Sequence, residues 1–115
     1  MANDLPPIGE HALLDLTGAV RLGDADFLEE VMREAARVAG ATVIGAHFHH
    51  FGEGHGVTGI LLLAESHISV HTWPERDFAA FDIFMCGAAS TAKAAASIGN
   101  AFPKAKVDIR SVRRG

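Results

Sequence analysis

The chain has 115 residues, of which 49% are hydrophobic and 21% charged, and its formal net charge is −4. These values are typical of one soluble globular domain with a modest core, here residues 1–115. The negative charge argues against nucleic acid as the main partner. No apolar run approaches the roughly 20 residues that a membrane helix needs, so we expect no membrane partner. The single cysteine, Cys86, excludes an internal disulfide framework, and with no signal-like leader we expect a cytoplasmic protein.

The first part of the chain predicts a strand, a helix and a second strand. Two prolines predict an irregular lead over residues 1–8, and Glu10–Leu16 alternates loosely as a strand does. Asp26-Phe27-Leu28-Glu29 fits a capping box at the start of a helix, and Gly40 suits its end. The apolar residues of this helix recur at helical spacing, and they are Phe27, Leu28, Val31, Met32, Ala35 and Val38. Ala41–Phe48 predicts the next strand.

The rest of the chain predicts further strands and a second helix. The predicted strands are Val57–Ala64, His67–Trp73, Ala79–Met85 and a last edge strand at Lys106–Val112. Val57–Ala64 is almost continuously apolar, which is typical of a strand covered on both faces. His67–Trp73 alternates, with Ile68 and Val70 on one face. Ser90 suits the start of a helix that ends near Gly99-Asn100.

This order of elements predicts an α+β fold. The short gaps between the middle strands require antiparallel hairpins, because a parallel crossover needs a dozen or more residues. We therefore expect a two-layer α/β sandwich, with a mostly antiparallel sheet and two helices on one face. The other sheet face then lacks a cover within the chain. A second copy packing sheet to sheet would supply one, which predicts a homodimer.

Two kinds of site are open from the residue types alone. His47, His49, His50 and His55 lie close together, but their spacing matches no metal-ligand motif, and we expect no metal site. Cys86 is the second case, because it suits either a buried structural residue or a thiolate paired with His71 across adjacent strands. The pair would indicate a cysteine hydrolase.

Ser66 suggests a third kind of chemistry, although a lone serine at a strand junction is usually a turn residue. A serine hydroxyl held against the preceding carbonyl attacks it and turns the amide between Glu65 and Ser66 into an ester. Elimination of the acyl group and hydrolysis then leave a pyruvoyl group at a new N-terminus. A ketone conjugated to an amide is an electron sink, as amino-acid decarboxylation requires.

Several segments together resemble one family. They are Gly40-Ala41-Thr42, Phe48-His49-His50-Phe51, Gly56-Val57-Thr58-Gly59, Leu63-Ala64-Glu65-Ser66-His67-Ile68-Ser69-Val70-His71-Thr72-Trp73-Pro74-Glu75 and Phe81-Asp82-Ile83-Phe84-Met85-Cys86-Gly87. In order and spacing the chain resembles prokaryotic S-adenosylmethionine decarboxylase over roughly residues 9–112. The resemblance implies a proenzyme that cuts itself between Glu65 and Ser66, giving a beta chain of residues 1–65 and an alpha chain of residues 66–115.

The same resemblance implies a role for each matching residue. Ser66 becomes the pyruvoyl cofactor, His71 removes the Cα proton during elimination, and Cys86 returns a proton to the substrate carbon after CO₂ leaves. Thr58 assists processing. The remaining roles concern S-adenosylmethionine itself, where Glu75 holds the ribose hydroxyls and Phe51 or Trp73 helps to form the adenine pocket. The implied product is the aminopropyl donor for spermidine synthesis.

The chain also departs from the family's pattern. It has no tyrosine, whereas relatives often carry one in the segment that matches Arg76-Asp77-Phe78, and the loop at residues 52–55 is slightly longer than in some relatives. Both differences concern the substrate pocket more than the mechanism. The alternatives are a pyruvoyl-dependent ornithine or arginine decarboxylase, an unprocessed binding protein of the same fold, and the cysteine hydrolase, for which Ser66 would be dispensable.

Overall fold

A computed structural model describes residues 7–115, so most of the lead predicted at residues 1–8 lies outside the described residues. The strands are β1 (Gly9–Thr17), β2 (Val43–His50), β3 (Val57–Leu63), β4 (Ser66–Trp73), β5 (Phe78–Cys86) and β6 (Lys106–Arg114). The helices are α1 (Ala25–Ala39) and α2 (Thr91–Asn100), and a single 3-10 turn covers Pro74–Arg76. The predicted order of elements is confirmed.

The N-cap of helix α1 lies two residues before the one that the predicted capping box gives. Its N-cap is Asp24, whose carboxylate accepts a hydrogen bond of 3.0 Å from the N–H of Phe27. That bond and the Arg21 guanidinium hold the pKa of Asp24 below its usual range. Asp26 lies inside the first turn instead, where its negative charge interacts favourably with the positive end of the helix dipole. Gly40 ends the helix as predicted, with φ +81 in the left-handed region.

Helix α2 is capped as its sequence predicts. The Ser90 hydroxyl accepts a hydrogen bond of 3.2 Å from the N–H of Lys93, which satisfies one of the free donors of the first turn. The Thr91 hydroxyl then donates to the carbonyl of Glu10 at 3.0 Å. This second bond ties the start of α2 to strand β1.

All six strands form one antiparallel sheet in the order β2-β3-β4-β5-β1-β6. Strands β2 to β5 follow one another as hairpins, which agrees with the short gaps between them. Strand β1, although first in the chain, lies between β5 and β6. The N-terminal strand is therefore an interior strand of the sheet, and β6 is an edge strand as predicted.

The two helices cover one face of the sheet, and the core lies between the helices and that face. Its largest fully buried side chains are Leu14, Leu16, Leu28, Met32, Leu61, Leu63, Ile68, Phe81, Ile83, Met85 and Ile98. We call the other face the outer face. It carries Thr58, Ile60 and Leu62 of β3, His67, Ser69 and His71 of β4, Asp82 and Phe84 of β5, and His11 of β1.

Within the chain, strand β3 is covered on one face only, which agrees with the predicted two-layer sandwich; the cover of its second face was predicted to come from another copy. Val57, Leu61 and Leu63 are buried under the helices, but Ile60 and Leu62 on the outer face remain 43% and 51% exposed. The reason is that both helices pack on the same side, so the chain has no second layer for the outer face. Among the described residues, no helix has the length and apolar character needed to cross a membrane.

Candidate active site

The turn between β3 and β4 holds the peptide bond that was predicted to break. Leu63 pairs with Ser66 across the hairpin, so only Ala64 and Glu65 form the turn. Glu65 has φ +59, a left-handed conformation that side-chain-bearing residues seldom adopt. Ser66 directly follows it and is only 7% exposed. The peptide bond predicted to break thus joins a residue in a strained backbone conformation to a buried serine.

Cys86 contacts both residues of this peptide. Its thiol donates a hydrogen bond of 3.0 Å to the carbonyl oxygen of Glu65, and its backbone N–H donates one of 3.3 Å to the Ser66 hydroxyl. The first bond polarises the carbonyl that the serine would attack, and the second fixes the hydroxyl oxygen. We refer to Glu65, Ser66 and Cys86 as the Ser66 cluster.

His71 belongs to a different group of residues, near the opposite end of the β3–β4 hairpin. Thr58 pairs with His71 across the strands, and Thr58 Oγ1 lies 3.2 Å from His71 Nδ1 in a hydrogen bond. This contact orients the imidazole, because a bond at one ring nitrogen fixes which nitrogen remains free. Thr58 therefore holds the residue that the family resemblance makes a base.

A cavity of about 220 Å³ opens beside this pair on the outer face. Phe51, Trp73 and Glu75, the three predicted substrate residues, all line it with Thr58 and His71. Together these five residues form what we call the His71 cluster. Trp73 is also tilted against the rings of His71 and Phe78, at centroid distances of 6.3 and 5.7 Å.

His55 also lines this cavity, although the sequence did not single it out as a substrate residue. It lies in the glycine-rich loop directly before β3. Its closeness in sequence to Thr58 was the one signal that could have identified it as a residue of this site. The loop lies so close to β4 that a Cβ on Gly56 would collide with the carbonyl oxygen of Thr72. This close approach requires a glycine. The Thr72 hydroxyl strengthens this contact by accepting from the N–H of Val57 at 2.9 Å.

The two clusters do not meet within one chain. Ser66 and His71 are five residues apart on one strand, which separates their backbones by about 17 Å. Alternation along β4 also places them on opposite faces, Ser66 with Ile68 and His71 with the exposed histidine and serine side chains. The single-chain structure thus brings Ser66 to Cys86 and Thr58 to His71, but neither pair to the other.

The alternative in which Cys86 pairs with His71 across adjacent strands is therefore wrong within a chain. Across the β4–β5 pair, His71 lies opposite Ala80, while Cys86 lies at the far end of β5. The two strands are indeed adjacent, but their antiparallel register separates these residues by six positions. A cysteine hydrolase built from this pair has no geometric support in the chain.

The histidines considered as metal ligands lie on and beside β2. His47 and His49 share the outer face as their spacing indicated, opposite Ile60 and Thr58. Within residues 7–115, the one group whose ligand atoms approach closely enough to share a metal ion is a different set, His11, His67 and Asp82. These residues are distant in sequence, so only the strand order brings them together.

Comparisons with known proteins give a consistent result. A family model described as S-adenosylmethionine decarboxylase matches residues 10–115. A curated S-adenosylmethionine decarboxylase proenzyme from Symbiobacterium thermophilum is 44% identical over 110 residues, covering 93% of this chain and 83% of the relative. One from Parasynechococcus marenigrum is 50% identical over 82 residues, covering 70% of this chain and 63% of the relative, less than two thirds of its length.

A solved structure agrees with these sequence matches. The crystal structure of the adenosylmethionine decarboxylase from Aquifex aeolicus superposes with a TM-score of 0.78 at 34% sequence identity. The match covers 96% of this chain and 93% of that structure. The similarity thus extends over nearly the whole α+β sandwich, including both clusters.

Proposed function

This chain belongs to the S-adenosylmethionine decarboxylase family, and from that premise we propose that it is a self-processing, pyruvoyl-dependent enzyme. Its reaction converts S-adenosylmethionine to CO₂ and the decarboxylated aminopropyl donor for spermidine synthesis. The observation that carries the proposal is the strained Glu65–Ser66 peptide with the Cys86 thiol on its carbonyl oxygen. The residues present therefore fit a pyruvoyl group made from Ser66.

Processing begins at the Ser66 cluster. Ser66 Oγ attacks the Glu65 carbonyl carbon, the C–N bond breaks, and the acyl group passes from nitrogen to oxygen as an ester. Negative charge develops on the Glu65 oxygen during the attack. The Cys86 thiol already donates to that oxygen at 3.0 Å, so we assign it the stabilisation of this charge.

A base completes the processing. Removal of the Cα proton of Ser66 expels the Glu65 carboxylate, and hydrolysis of the remaining dehydroalanine releases ammonia and leaves the ketone. We assign the proton removal to His71, because histidine is the most common general base in enzymes and Thr58 hydrogen-bonds one nitrogen of the ring, which orients it. The products are a chain of residues 1–65 and a chain of residues 66–115.

The pyruvoyl group supplies a conjugated carbonyl that accepts the electrons left when the substrate loses CO₂. The chain's own residues bind the substrate and manage protons around that group. Cys86 lies beside position 66, and we assign its thiol the return of one proton to the substrate carbon. Glu75 faces the cavity with Phe51 and Trp73, where a carboxylate suits ribose hydroxyls and aromatic rings suit adenine.

Two copies of the chain are needed to complete this site. His71 has to reach the Cα proton of Ser66, yet about 17 Å and the thickness of the sheet separate them in one chain. We therefore propose a homodimer in which the Ser66 cluster of one copy meets the His71 cluster of the other. The outer face supports such packing, because Ile60 and Leu62 expose apolar surface next to both clusters.

The cavity at the His71 cluster supports the same arrangement. Its volume of about 220 Å³ lies below the usual 300–1,000 Å³ of a small-molecule site. A second open cavity lies beside Ser66 and is lined by Ile60, Leu62 and His67. Joining the two cavities across a dimer would provide room for a nucleoside substrate.

Intact-mass analysis of the denatured, purified protein tests the processing. We expect two fragments that divide between Glu65 and Ser66, the second blocked by a pyruvoyl group and resistant to N-terminal degradation. The processed protein is then offered S-adenosylmethionine, ornithine and arginine, each labelled in its carboxyl group, and released CO₂ is counted. Release from S-adenosylmethionine alone is expected. A single uncut chain, or release only from another amino acid, would contradict the proposed function.

A further inference from the structure

We propose that His11, His67 and Asp82, which we call the His11 cluster, bind a divalent transition-metal ion such as Zn²⁺. The three residues lie on neighbouring strands β1, β4 and β5, all on the outer face. His67 and His11 both lie opposite Phe84, one on each side, and Asp82 is the next outward-facing residue along β5. The sheet register therefore aims two imidazoles and one carboxylate at a common point.

The distances suit a shared ion. One ligand atom from each residue lies within 4.8 Å of the other two, and His67 Nε2 is 3.8 Å from Asp82 Oδ1. Tetrahedral ligands at 2.0–2.2 Å from zinc are separated by about 3.4 Å, so small side-chain rotations bring these atoms into range. The Asp82 carboxylate already accepts a hydrogen bond from His11 Nε2. A metal would take the place of that shared proton.

The environment leaves room for an ion and holds its ligands. The side chains of His11, His67 and Asp82 are 21%, 35% and 37% exposed, so solvent reaches the cluster without surrounding it. Phe84 packs against both imidazoles, at centroid distances of 5.8 Å from His11 and 6.2 Å from His67. The ring restricts both histidines to the positions from which their nitrogens face Asp82.

The donor set selects the class of metal. Two imidazole nitrogens and one carboxylate oxygen are typical ligands of Zn²⁺ and related transition ions, whereas Mg²⁺ and Ca²⁺ prefer oxygen alone. Three protein ligands leave at least one coordination position for water. The inference does not rest on the proposed function, because it is argued from the geometry of the three ligands alone, although His67 also lines the cavity beside Ser66.

Arg114 gives the proposal a distinctive test. Its Nη1 lies 3.2 Å from His11 Nδ1 and donates to it, so the ring proton of neutral His11 is on Nε2, the atom that would bind the metal. Metal binding at Nε2 moves the proton to Nδ1 and breaks the contact with Arg114. The guanidinium therefore opposes the ion both by its charge and by the tautomer it selects, and its removal should tighten metal binding.

The experiment uses the untagged full chain, stripped of metal with a chelator and then titrated with Zn²⁺ in competition with a chromophoric chelator. We expect one Zn²⁺ per chain, with affinity reduced at least about tenfold in His67→Ala and in Asp82→Asn. Arg114→Ala should bind about tenfold more tightly. His47→Ala is the matched control, because it removes an outer-face histidine outside the cluster, and its affinity should equal that of the original protein.

Circular dichroism and the metal-free unfolding temperature of each variant are measured in parallel. Asp82→Asn keeps the side-chain shape, so a loss of Zn²⁺ affinity with an unchanged spectrum assigns the effect to the ligand. Absence of Zn²⁺ binding in the original protein would overturn the proposal. So would binding that is unaffected by His67→Ala and Asp82→Asn but lost in His47→Ala.

Discussion

The Ser66 cluster and the His71 cluster share strand β4 but are held in different ways. The first is fixed by backbone geometry and by hydrogen bonds, since Glu65 is in a left-handed turn and Cys86 donates through its thiol to the Glu65 carbonyl and through its N–H to the Ser66 hydroxyl. Side chains form the second, and they border an open cavity where Trp73 and Phe51 are 40% and 59% exposed.

This difference separates two tasks. A serine that attacks its own backbone needs a rigid local geometry, because the reacting atoms belong to neighbouring residues and must not relax apart. A base and a substrate pocket that act on another molecule need an accessible surface instead. The first cluster thus contains all the groups that the acyl shift needs. The second cluster acts only when a substrate or a second copy of the chain reaches it.

The largest expected effect follows from Ser66→Ala. This change removes the nucleophile, so we expect one intact chain by denaturing mass analysis and no measurable decarboxylation, a loss of about 10⁶-fold or more. Ser69→Ala is the matched control, because it removes another serine hydroxyl from the same strand, on the outer face and about 10 Å along the strand from Ser66. If Ser66→Ala turned over normally, the Ser66 cluster would have no part in catalysis.

His71→Ala tests whether the two clusters come from different copies. Alone, it should stall at the ester, with processing slowed about 10²–10⁴-fold and the chain cut by hydroxylamine at Ser66. Coexpression with Ser66→Ala should restore cutting of the His71→Ala chain, because the partner supplies the missing imidazole. Mass analysis distinguishes the two chains.

The control for that rescue is coexpression of His71→Ala with a partner that carries both substitutions. Such a partner has no imidazole to offer, so cutting should stay slow. Equal rescue by both partners would contradict the proposed sharing of the site.

Cys86→Ala sharpens the same comparison from the other cluster. We expect slower processing and a loss of about 10²–10⁴-fold in turnover, because both proposed roles of the thiol are removed. Coexpression with Ser66→Ala should give no rescue, since the Cys86 thiol contacts the Glu65 carbonyl of its own chain. Rescue would mean that the thiol reaches the scissile peptide from the partner.

Glu75→Gln should have the smallest effect and should leave processing unchanged. Loss of a charge-assisted hydrogen bond to the ribose costs about 1.5–3 kcal/mol, which raises KM by roughly ten- to a hundredfold. Glu53→Gln in the exposed loop is the matched control and should keep the original KM. A processing defect in Glu75→Gln would contradict this role, because it would show that the carboxylate acts before substrate binding.

Local patterns predicted most of the fold. Alternation, apolar runs, helical spacing and capping residues located every strand and both helices, because these signals are set within each element. The helix cap was placed at Asp26 instead of Asp24, since two acidic residues suit the same role and only the backbone geometry selects one. An apolar run such as β3 shows that both faces avoid water without showing that the second cover lies in the same chain.

The candidate site was predictable in its residues but not in its arrangement. The resemblance named Ser66, His71 and Cys86 together, and the alternation of β4 already separates Ser66 from His71. What the sequence lacked was register, which places His71 opposite Ala80 and far from Cys86. The His11 cluster was missed for the same reason, because β1 returns to lie beside β5 only in the assembled sheet.

The position of β1 between β5 and β6 has a consequence for the order of folding and cleavage. If the chain is cut after Glu65, strands β1 to β3 belong to one fragment and β4 to β6 to the other, and the two sets interleave in a single sheet. Folding of the uncut chain is unimolecular and independent of concentration. Refolding of the cut protein requires an encounter between two fragments, so its rate depends on their concentration. The sheet therefore has to assemble first and be cut second.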